Sequence, residues 1–321
     1  KNPIILLEPV GRNTAPAIAA AALQLLKFLD DTVMLVLSAD HVIQNIDLFH
    51  DSIKIASSQA LEGKVATFGI VPTNANTGYG YIKSSENNID GGYKVEEFVE
   101  KPDLETAQAY LEEGNYLWNS GMFMFKADVL IDELTIHSPD IAKLVRDAVN
   151  NATQDFDFIR LDRQIFETSP SVSIDYALME KSNNVFVVPL NTEWNDVGSW
   201  SALYNISAKD SNGNIFKGDV TAKDTTNSYI YASNHVVATV GVDNLIVIHT
   251  PDATFVASQD KVHEVKTIVS SLEEKGRDEA HSNRMVCRPW GWYDSIEKGE
   301  NFQVKKLYVK PGGKLSLQMH H

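Results

Sequence analysis

The chain has 321 residues, 43% hydrophobic and 22% charged, which favours a globular protein with a large core and two or three domains of about 100–200 residues each. A formal net charge of -15 argues against nucleic acid or an anionic membrane surface as the main partner, because both attract clustered Lys and Arg. Cys287 is the only cysteine, so an internal disulfide is excluded, and no apolar run reaches the ~18 residues of a membrane span. We expect a cytoplasmic protein without nucleic-acid or membrane partners.

In the first 208 residues, continuous apolar strands alternate with helices. This alternation predicts an α/β fold with a doubly wound, mixed but mostly parallel sheet, because such strands are buried on both faces. Sheets of this kind bind ligands at the carboxyl ends of their strands. The predicted strands are 4–7, 33–37, 65–70, 78–82, 94–99, 121–125 and 185–190, and the predicted helices are 15–29, 47–61, 103–113, 138–149 and 174–181.

The second part of the chain loses helical periodicity between residues 214 and 258. Short Val, Ile and Thr runs alternate there with Asp, Asn and Gly turns, which predicts a small all-β unit, either a β-helix or a sandwich fragment. A helix over 262–272 and a polar linker follow, and strands resume at Val286. The predicted domains are 1–208 for the α/β domain, 209–280 for the β unit with its linking helix, and 284–321 for a further β domain.

The two ends of the sequence are abrupt. Lys1 leads directly into the apolar run at 4–7, and the last residues, 315–321, stop within a predicted strand. Because domains seldom begin inside their own sheet, we expect that both ends are truncated.

Two aspartates, Asp40 and Asp196, each follow an apolar strand and are flanked by small or aromatic residues. Carboxylates from distant strand ends that meet at the binding edge of a sheet can hold Mg²⁺, which takes one or two carboxylates together with substrate phosphates. The alternative is structural, since each aspartate could cap the helix that follows it.

Residues Glu8, Gly11, Arg12 and Asn13 lie in a turn that opens the first helix, in the segment Glu8-Pro-Val-Gly-Arg-Asn-Thr-Ala-Pro-Ala17. Backbone N–H groups at such a helix start can meet an anion or a base. The carboxylate of Glu8 could accept two hydrogen bonds from guanine, whose N1–H and exocyclic amine form an adjacent donor pair. The alternative for this segment is an ordinary turn and helix cap.

A third group of polar residues lies near the same edge. Glu100 and Lys101 end a predicted strand, where glutamate can bind sugar hydroxyls and lysine a single phosphate. Gly80 and Asn119 would allow close approach to a sugar ring. The alternatives are a solvated strand end and ordinary turn chemistry for the glycine.

Near the end of the chain, Gln318 and His320 are two potential metal ligands at positions i and i+2, on one face of a strand. A transition-metal site needs three or four ligands, so a site here would be incomplete.

Several segments together carry a specific resemblance. They resemble, in family order, the bacterial mannose-1-phosphate guanylyltransferases (GDP-mannose pyrophosphorylases). The end of the chain, from Arg288-Pro-Trp-Gly-Trp292 to Gln318-Met-His-His321, is similar to the start of the cupin-type mannose-6-phosphate isomerase fused to the long form of that family. The segments are Glu8-Pro-Val-Gly-Arg-Asn-Thr-Ala-Pro-Ala17, Leu37-Ser-Ala-Asp-His41, Gly78-Tyr-Gly-Tyr-Ile82, Val99-Glu-Lys-Pro102, Trp118-Asn-Ser-Gly121 and Trp194-Asn-Asp-Val-Gly-Ser-Trp200.

This resemblance implies a Rossmann-like nucleotidyltransferase sheet, a β-helix-like unit and the start of a cupin β-barrel. It implies that GTP and mannose 1-phosphate react to give GDP-mannose and pyrophosphate, by in-line attack with Mg²⁺, or Mn²⁺ in its place. The implied roles are Asp40 and Asp196 as metal ligands, Glu8 at the guanine, Lys101 at the sugar phosphate, and Gly80, Glu100, Asn119 and the weaker candidate Asp175 at the sugar.

The resemblance also implies a metal such as Zn²⁺ for a complete isomerase domain, which would interconvert mannose 6-phosphate and fructose 6-phosphate. We also expect a homodimer through the β unit. The sequence departs from the family in one respect. The family opens with a Gly-rich loop that binds the triphosphate, and this loop does not precede Lys1 in this sequence. A fragment that binds a nucleotide sugar or assembles without turnover is therefore an alternative. Another is a pyrophosphorylase for a different hexose 1-phosphate.

Overall fold

The computed structural model describes residues 3–155, 158–280, 283–288 and 290–315. These residues form two compact units, of which the first ends at Asp196 and the second begins at Val197. Within the described ranges, no helix is both long enough and apolar enough to cross a membrane.

The first unit alternates strands and helices as predicted. Its strands are β1 (Ile5–Leu7), β2 (Val33–Val36), β3 (Val42–Ile43), β4 (Val65–Ile70), β5 (Tyr81–Ile89), β6 (Gly92–Val99), β7 (Tyr116–Lys126), β8 (Thr153–Asp155), β9 (Phe158–Arg160), β10 (Val185–Leu190) and β11 (Trp194–Asn195). Its helices are α1 (Thr14–Leu26), α2 (Ile46–Leu61), α3 (Leu104–Glu113), α4 (Ala127–His137), α5 (Pro139–Asn150) and α6 (Arg163–Phe166), with a π-helical turn at Asp175–Met179.

Six strands form the main sheet, in the order β2-β7-β4-β10-β6-β5. The expected mixed α/β sheet is confirmed, but its pairing is largely antiparallel where mostly parallel strands were expected. Only β4 and β10 run parallel among the pairings described in this sheet. The difference arises because β7, although apolar from Met122 to Phe125, runs antiparallel to both β2 and β4. Burial on both faces makes a strand continuously apolar, whatever its direction.

Helices cover both faces of this sheet, which explains the apolar runs. Successive residues of β7 point to opposite faces, as in any strand. Phe123 and Phe125 join the core formed with α1, α4 and α5, whereas Met122 and Met124 join the core formed with α2. The sheet is therefore a central layer between two helical layers.

The first strand lies outside this layer, in contrast to the buried strand predicted at 4–7. β1 pairs in parallel with β9, and β9 pairs with β8, in a separate three-stranded sheet. Ile4 and Ile5 are 54% and 38% exposed. The apolar pattern predicted the strand correctly but carried no information on its partner.

The second unit contains the predicted all-β segment. Strands β12 (Ile215–Lys223), β13 (Tyr229–Val240) and β14 (Leu245–His249) are parallel neighbours, and β15 (Thr254–Ser258) pairs antiparallel with β14. Parallel neighbours joined by short turns favour a β-helix over a sandwich fragment, because sandwich sheets are mostly antiparallel. The unit also contains α7 (Trp200–Ile206), α8 (Val265–Glu274) and an antiparallel sheet of β16 (Met285–Arg288), β17 (Gly291–Lys298) and β18 (Gln303–Val309).

One buried amide, that of Asn214, connects the turns of this stack. Its side-chain nitrogen donates to the carbonyl oxygen of Thr225 at 2.8 Å, and its oxygen accepts from the backbone N–H of Ser228 at 3.1 Å. Asn214 is 3% exposed, so water cannot replace either bond at low cost.

We predict that Asn214→Ala destabilises the second unit by roughly 1–3 kcal/mol, because it leaves a buried carbonyl and a buried N–H without a partner. Urea unfolding followed by circular dichroism measures this change. Asn234→Ala, at an exposed position of β13, is the matched control and should leave the curve unchanged. Equal unfolding midpoints for the two variants would contradict the role of Asn214.

Candidate functional site

A cavity of about 370 Å³ opens in the first unit at the ends of several strands. The start of α1, the end of β2, the turn before β5 and the middle of β7 contribute to its wall. Five of the predicted site residues line it, namely Gly80, Glu100, Asn119, Asp175 and Asp196. Residues far apart in the sequence therefore meet where the fold class predicts a ligand.

Asn119 on β7 organises one side of this cavity. Its backbone N–H donates to the carbonyl oxygen of Gly80 at 2.8 Å, and its side-chain nitrogen donates to Oδ1 of Asp175 at 2.9 Å. A Cβ atom on Gly80 would overlap Oε2 of Glu100 and lie 3.2 Å from Cβ of Asn119. Glycine is required there so that the Glu100 carboxylate can approach the main chain.

Glu100 holds a buried carboxylate at this cavity. Its side chain is 9% exposed, Oε1 contacts the Lys101 ammonium at 3.0 Å, and the buried Oε2 has no hydrogen-bond partner among the described residues. Burial, and then the negative charge of Asp175, raise the pKa of Glu100. Burial likewise raises the pKa of Asp175. A ligand hydroxyl that donates to Oε2 would satisfy an oxygen that the protein leaves without a donor.

Lys101 lies beside the cavity rather than in its lining. Its side chain is 59% exposed, and the hydrogen bond to Glu100 raises its pKa, so it stays charged. The backbone of Lys101 has a φ of 50°, a left-handed conformation that is rare for a residue with a side chain.

The two predicted metal ligands flank a short ladder between β3 and β11. Trp194 pairs with Ile43 and Asn195 with Val42, so the same register places Asp196 opposite His41, next to Asp40. Asp196 lines the cavity, whereas Asp40 is exposed just outside it. Among the residues described, no cluster of three or more His, Cys, Asp or Glu could hold a metal ion. Two carboxylates still fit Mg²⁺, which keeps several waters and few protein ligands.

A wall of aromatic side chains next to Asp196 was not predicted from the sequence. The Tyr79 hydroxyl donates to Oδ1 of Asp196 at 3.0 Å, and its ring lies 5.1 Å from that of Trp118. Trp194 contacts Tyr79 and His41 with centroid distances of 5.5 and 5.3 Å. Burial and the charge of Asp196 raise the pKa of Tyr79, which keeps its hydroxyl protonated and donating. The position of Tyr79 between two glycines was the available signal.

The turn between β1 and α1 leads to Thr14, which lines the cavity. The predicted residues of this turn do not line it, namely Glu8, Gly11, Arg12 and Asn13. Asn13 caps α1, because its Oδ1 accepts from the N–H of Thr14 at 2.8 Å. The Arg12 guanidinium donates to the main-chain carbonyl of Glu167. Glu8 is exposed, although partial burial of its carboxyl raises its pKa.

Two further predicted ligands, Gln318 and His320, lie outside the described residues.

Three family models match successive parts of the chain. The nucleotidyl transferase model matches residues 2–213, the model of the mannose-phosphate isomerase/GMP-like beta-helix domain matches 218–272, and the mannose-6-phosphate isomerase C-terminal model matches 275–321. The second match confirms the β-helix interpretation, and the third confirms a cupin-like C-terminal region.

Relatives and solved structures agree with these matches. A mannose-1-phosphate guanylyltransferase of Salmonella montevideo is 52% identical over 99% of this chain and 68% of its own length. The xanthan biosynthesis protein XanB of Xanthomonas campestris pv. campestris (strain B100) is 51% identical over 100% of this chain and 68% of its own length. The crystal structure of a mannose-1-phosphate geranyltransferase from Thermus thermophilus has a TM-score of 0.72 at 33% identity, covering 83% of this chain and 77% of that one. The expected resemblance is confirmed.

Asp175 allows a test of the site's electrostatics. Because its pKa is raised in the folded state, the folded protein binds more protons than the unfolded one above the ordinary aspartate pKa of about 4. Its contribution to stability therefore falls as the pH rises through the interval up to the raised pKa. Asp175→Asn removes the buried charge and retains an oxygen to accept from Asn119. We predict a higher melting temperature for this variant at about pH 7 and a smaller gain at about pH 5.

Thermal unfolding at the two pH values measures this difference. The exposed Asp132→Asn is the matched control and should change neither melting temperature. A pH-independent effect of Asp175→Asn, or a loss of stability at neutral pH, would contradict the assignment.

Proposed function

The chain belongs to the family of bacterial mannose-1-phosphate guanylyltransferases, in the form fused to a mannose-6-phosphate isomerase domain, and we propose that the cavity of its first unit is the catalytic site. The enzyme is a nucleotidyltransferase that serves GDP-mannose synthesis. The observation that carries this proposal is the meeting of Asn119, Glu100, Asp175 and Asp196 in one cavity from separate segments. A pyrophosphate-release assay with GTP and mannose 1-phosphate tests it directly.

The side organised by Asn119 is suited to a sugar. Glu100 and Asp175 provide carboxylate acceptors for hydroxyl donors, and the unpartnered Oε2 of Glu100 supports binding of a polyhydroxylated ring. Lys101 stands beside them as an exposed cation that can hold the phosphate of mannose 1-phosphate without reorganising the cavity. The proposal therefore places the sugar against Gly80 and its phosphate towards Lys101.

The nucleotide is proposed to occupy the other side, near the start of α1. Glu8 would face the guanine and accept from its N1–H and exocyclic amine, while the turn at Gly11, Arg12 and Asn13 would surround the base. The cavity reaches this region through Thr14. Cβ placement at Gly11 meets no atom within 4 Å, so the space beside this turn is open to a ligand.

A divalent metal belongs to this chemistry, since the nucleotidyl transferase and mannose-phosphate isomerase families generally use one. For the first unit we propose Mg²⁺, replaceable by Mn²⁺, held by Asp40 and Asp196. When bound, such an ion neutralises developing phosphate charge and aligns the reacting groups. The hydrogen bond from Tyr79 fixes one oxygen of Asp196 and so orients its carboxylate.

The proposed reaction is an in-line displacement at the α-phosphorus of GTP. A phosphate oxygen of mannose 1-phosphate attacks, the new P–O bond forms, and the bond to pyrophosphate breaks with its electron pair on the leaving group. No covalent enzyme intermediate is required, so positioning by Lys101, Glu100 and Asn119 supplies much of the rate.

The isomerase region extends the proposal. Gln318 and His320 would belong to a site for a divalent metal such as Zn²⁺ that interconverts mannose 6-phosphate and fructose 6-phosphate. The match of residues 275–321 to the mannose-6-phosphate isomerase C-terminal model supports this part of the proposal. A homodimer through the β unit and a cytoplasmic location, where GTP is available, complete the proposal.

We predict that Asp196→Asn lowers turnover by roughly two to three orders of magnitude, because electrostatic stabilisation at a reacting centre is worth about 3–4 kcal/mol. Steady-state pyrophosphate release at saturating Mg²⁺ measures the loss, and an unchanged melting temperature shows that folding is intact. Asp132→Asn serves as the control for a lost surface charge. Near-parental turnover of Asp196→Asn would remove this residue from the metal site.

Glu8→Gln should reduce the preference for GTP over UTP or dTTP more than it slows the reaction with GTP. Glutamine can accept from only one guanine donor, and its own amide group opposes the other, at a cost of about 1–3 kcal/mol. The ratio of kcat/KM values for GTP and UTP measures the preference. An unchanged ratio would exclude Glu8 from base recognition.

A further inference from the structure

The turn that carries Glu8 is held by a segment about 155 residues later in the chain. The N–H of Leu161 donates to the carbonyl oxygen of Leu7 at 3.3 Å, which extends the parallel pairing of β1 with β9. Beyond the turn, the N–H of Ala15 donates to the carbonyl oxygen of Val172 at 3.2 Å. The turn is therefore attached at both of its ends to the same stretch of chain.

Between these ends, Arg163 contacts the turn itself. Its Nη2 donates to the carbonyl oxygen of Pro9 at 3.3 Å, one residue after Glu8, while its Nε lies 3.3 Å from Oε1 of Glu167. The second contact orients the guanidinium, because two separated nitrogens are engaged at once. In return, Arg12 in the turn donates to the main-chain carbonyl of Glu167.

Arg163 belongs to a well-packed part of the fold. Arg163 begins α6, whose cap, Asp162, accepts from the N–H of Ile165 at 2.9 Å. Phe166, at the other end of this short helix, is fully buried in the core, and Leu161 is 4% exposed. The Arg163 side chain is itself 68% exposed, so truncating it removes little core packing.

Two residues of the turn itself contribute little to fixing its shape. A Cβ atom at Gly11 would meet nothing within 4 Å, and Pro9 has no N–H to donate. Recognition of a flat base by two hydrogen bonds depends on accurate placement of the accepting carboxylate. A donor that immobilises the neighbouring carbonyl would supply this placement from outside the turn.

We propose that Arg163 is a positioning residue for nucleobase recognition, which holds the Pro9 carbonyl and thereby fixes Glu8 against guanine. This inference rests on the proposed function, because it takes Glu8 as the base-facing residue. Arg163 acts through the turn and does not touch the nucleotide. Its effect therefore belongs to nucleotide affinity and selectivity rather than to the displacement step.

The test compares Arg163→Ala with Arg160→Ala in steady-state assays with GTP, ITP and UTP. Arg160 is also exposed and lies three residues earlier, but its side chain binds Asp155 and not the turn. ITP lacks the exocyclic amine, so the GTP to ITP ratio of kcat/KM reports the second hydrogen bond at Glu8. We expect Arg163→Ala to raise KM for GTP roughly three- to tenfold and to narrow that ratio, with kcat retained. Arg163→Lys, with one donor group in place of the fork, should fall between Arg163→Ala and the parent.

The outcomes separate this inference from the proposed function. If the parent releases no pyrophosphate from GTP and mannose 1-phosphate, the proposed function itself fails. If the parent is active and Arg163→Ala behaves like Arg160→Ala, the inference alone is overturned. A uniform loss of kcat with all three nucleotides, together with a lower melting temperature, would also overturn it, because Arg163 would then be a general stabilising residue.

Discussion

The site depends on one side-chain amide, that of Asn119. Asn119 lies in β7, the strand that pairs with β2, β4 and β5, and its backbone and side chain donate hydrogen bonds to two other segments, at Gly80 and Asp175. Besides its bonds to Gly80 and Asp175, its Oδ1 accepts from the N–H of Gly121 at 3.1 Å. Because both cores of the first unit pack on β7, the position of this amide is set by the most constrained strand of the fold. The wall of the cavity around Asn119 is therefore held in place by the core.

The buried carboxylates of the cavity nevertheless lower the stability of the folded protein. Glu100 and Asp175 are carboxylates held away from water, and the mutual repulsion raises the pKa of Glu100 further. Only the exposed Lys101 provides direct compensation among the charged groups described beside Glu100. A substrate that donates hydroxyl protons to these oxygens would relieve part of this cost on binding, so the energy stored in the fold becomes binding energy. An uncharged cavity of the same shape would be more stable and less selective.

The sequence predicted the positions of strands and helices better than it predicted which strands pair with each other. Strands at 65–70 and 185–190 agree with β4 and β10, since each is a short run of mainly apolar residues. Helix α4 was not predicted, because it begins at Ala127 directly after β7 with no turn residue between them. The sequence pattern also could not predict whether neighbouring strands run parallel or antiparallel, because an apolar run indicates that a strand is buried and not how its neighbours are oriented.

The same limit applies to the candidate site. Asp40 and Asp196 were predicted as a pair from their positions after strands, whereas the ladder that connects their segments has two residue pairs, which is too short for a sequence pattern to indicate. The Tyr79 hydroxyl on Asp196 is a contact across more than a hundred residues, which local patterns do not encode. Motif resemblance found these residues where periodicity could not. It gave no indication of the contact between Arg163 and Pro9, because that arginine lies in no recognised motif.

The parallel stack of the second unit has a consequence for how the chain can change in length. In such a stack each coil contacts mainly its neighbours, and stability is close to a sum over adjacent pairs. Ile215, Tyr229 and Ile246 lie in one column across β12, β13 and β14, so an inserted coil that repeats the column would find a prepared surface on either side. Adding or removing a whole coil would preserve the pairing register of the strands. Inserting a single residue within a strand would instead move the side chains of the column to the opposite face. The unit can therefore act as a spacer of adjustable length.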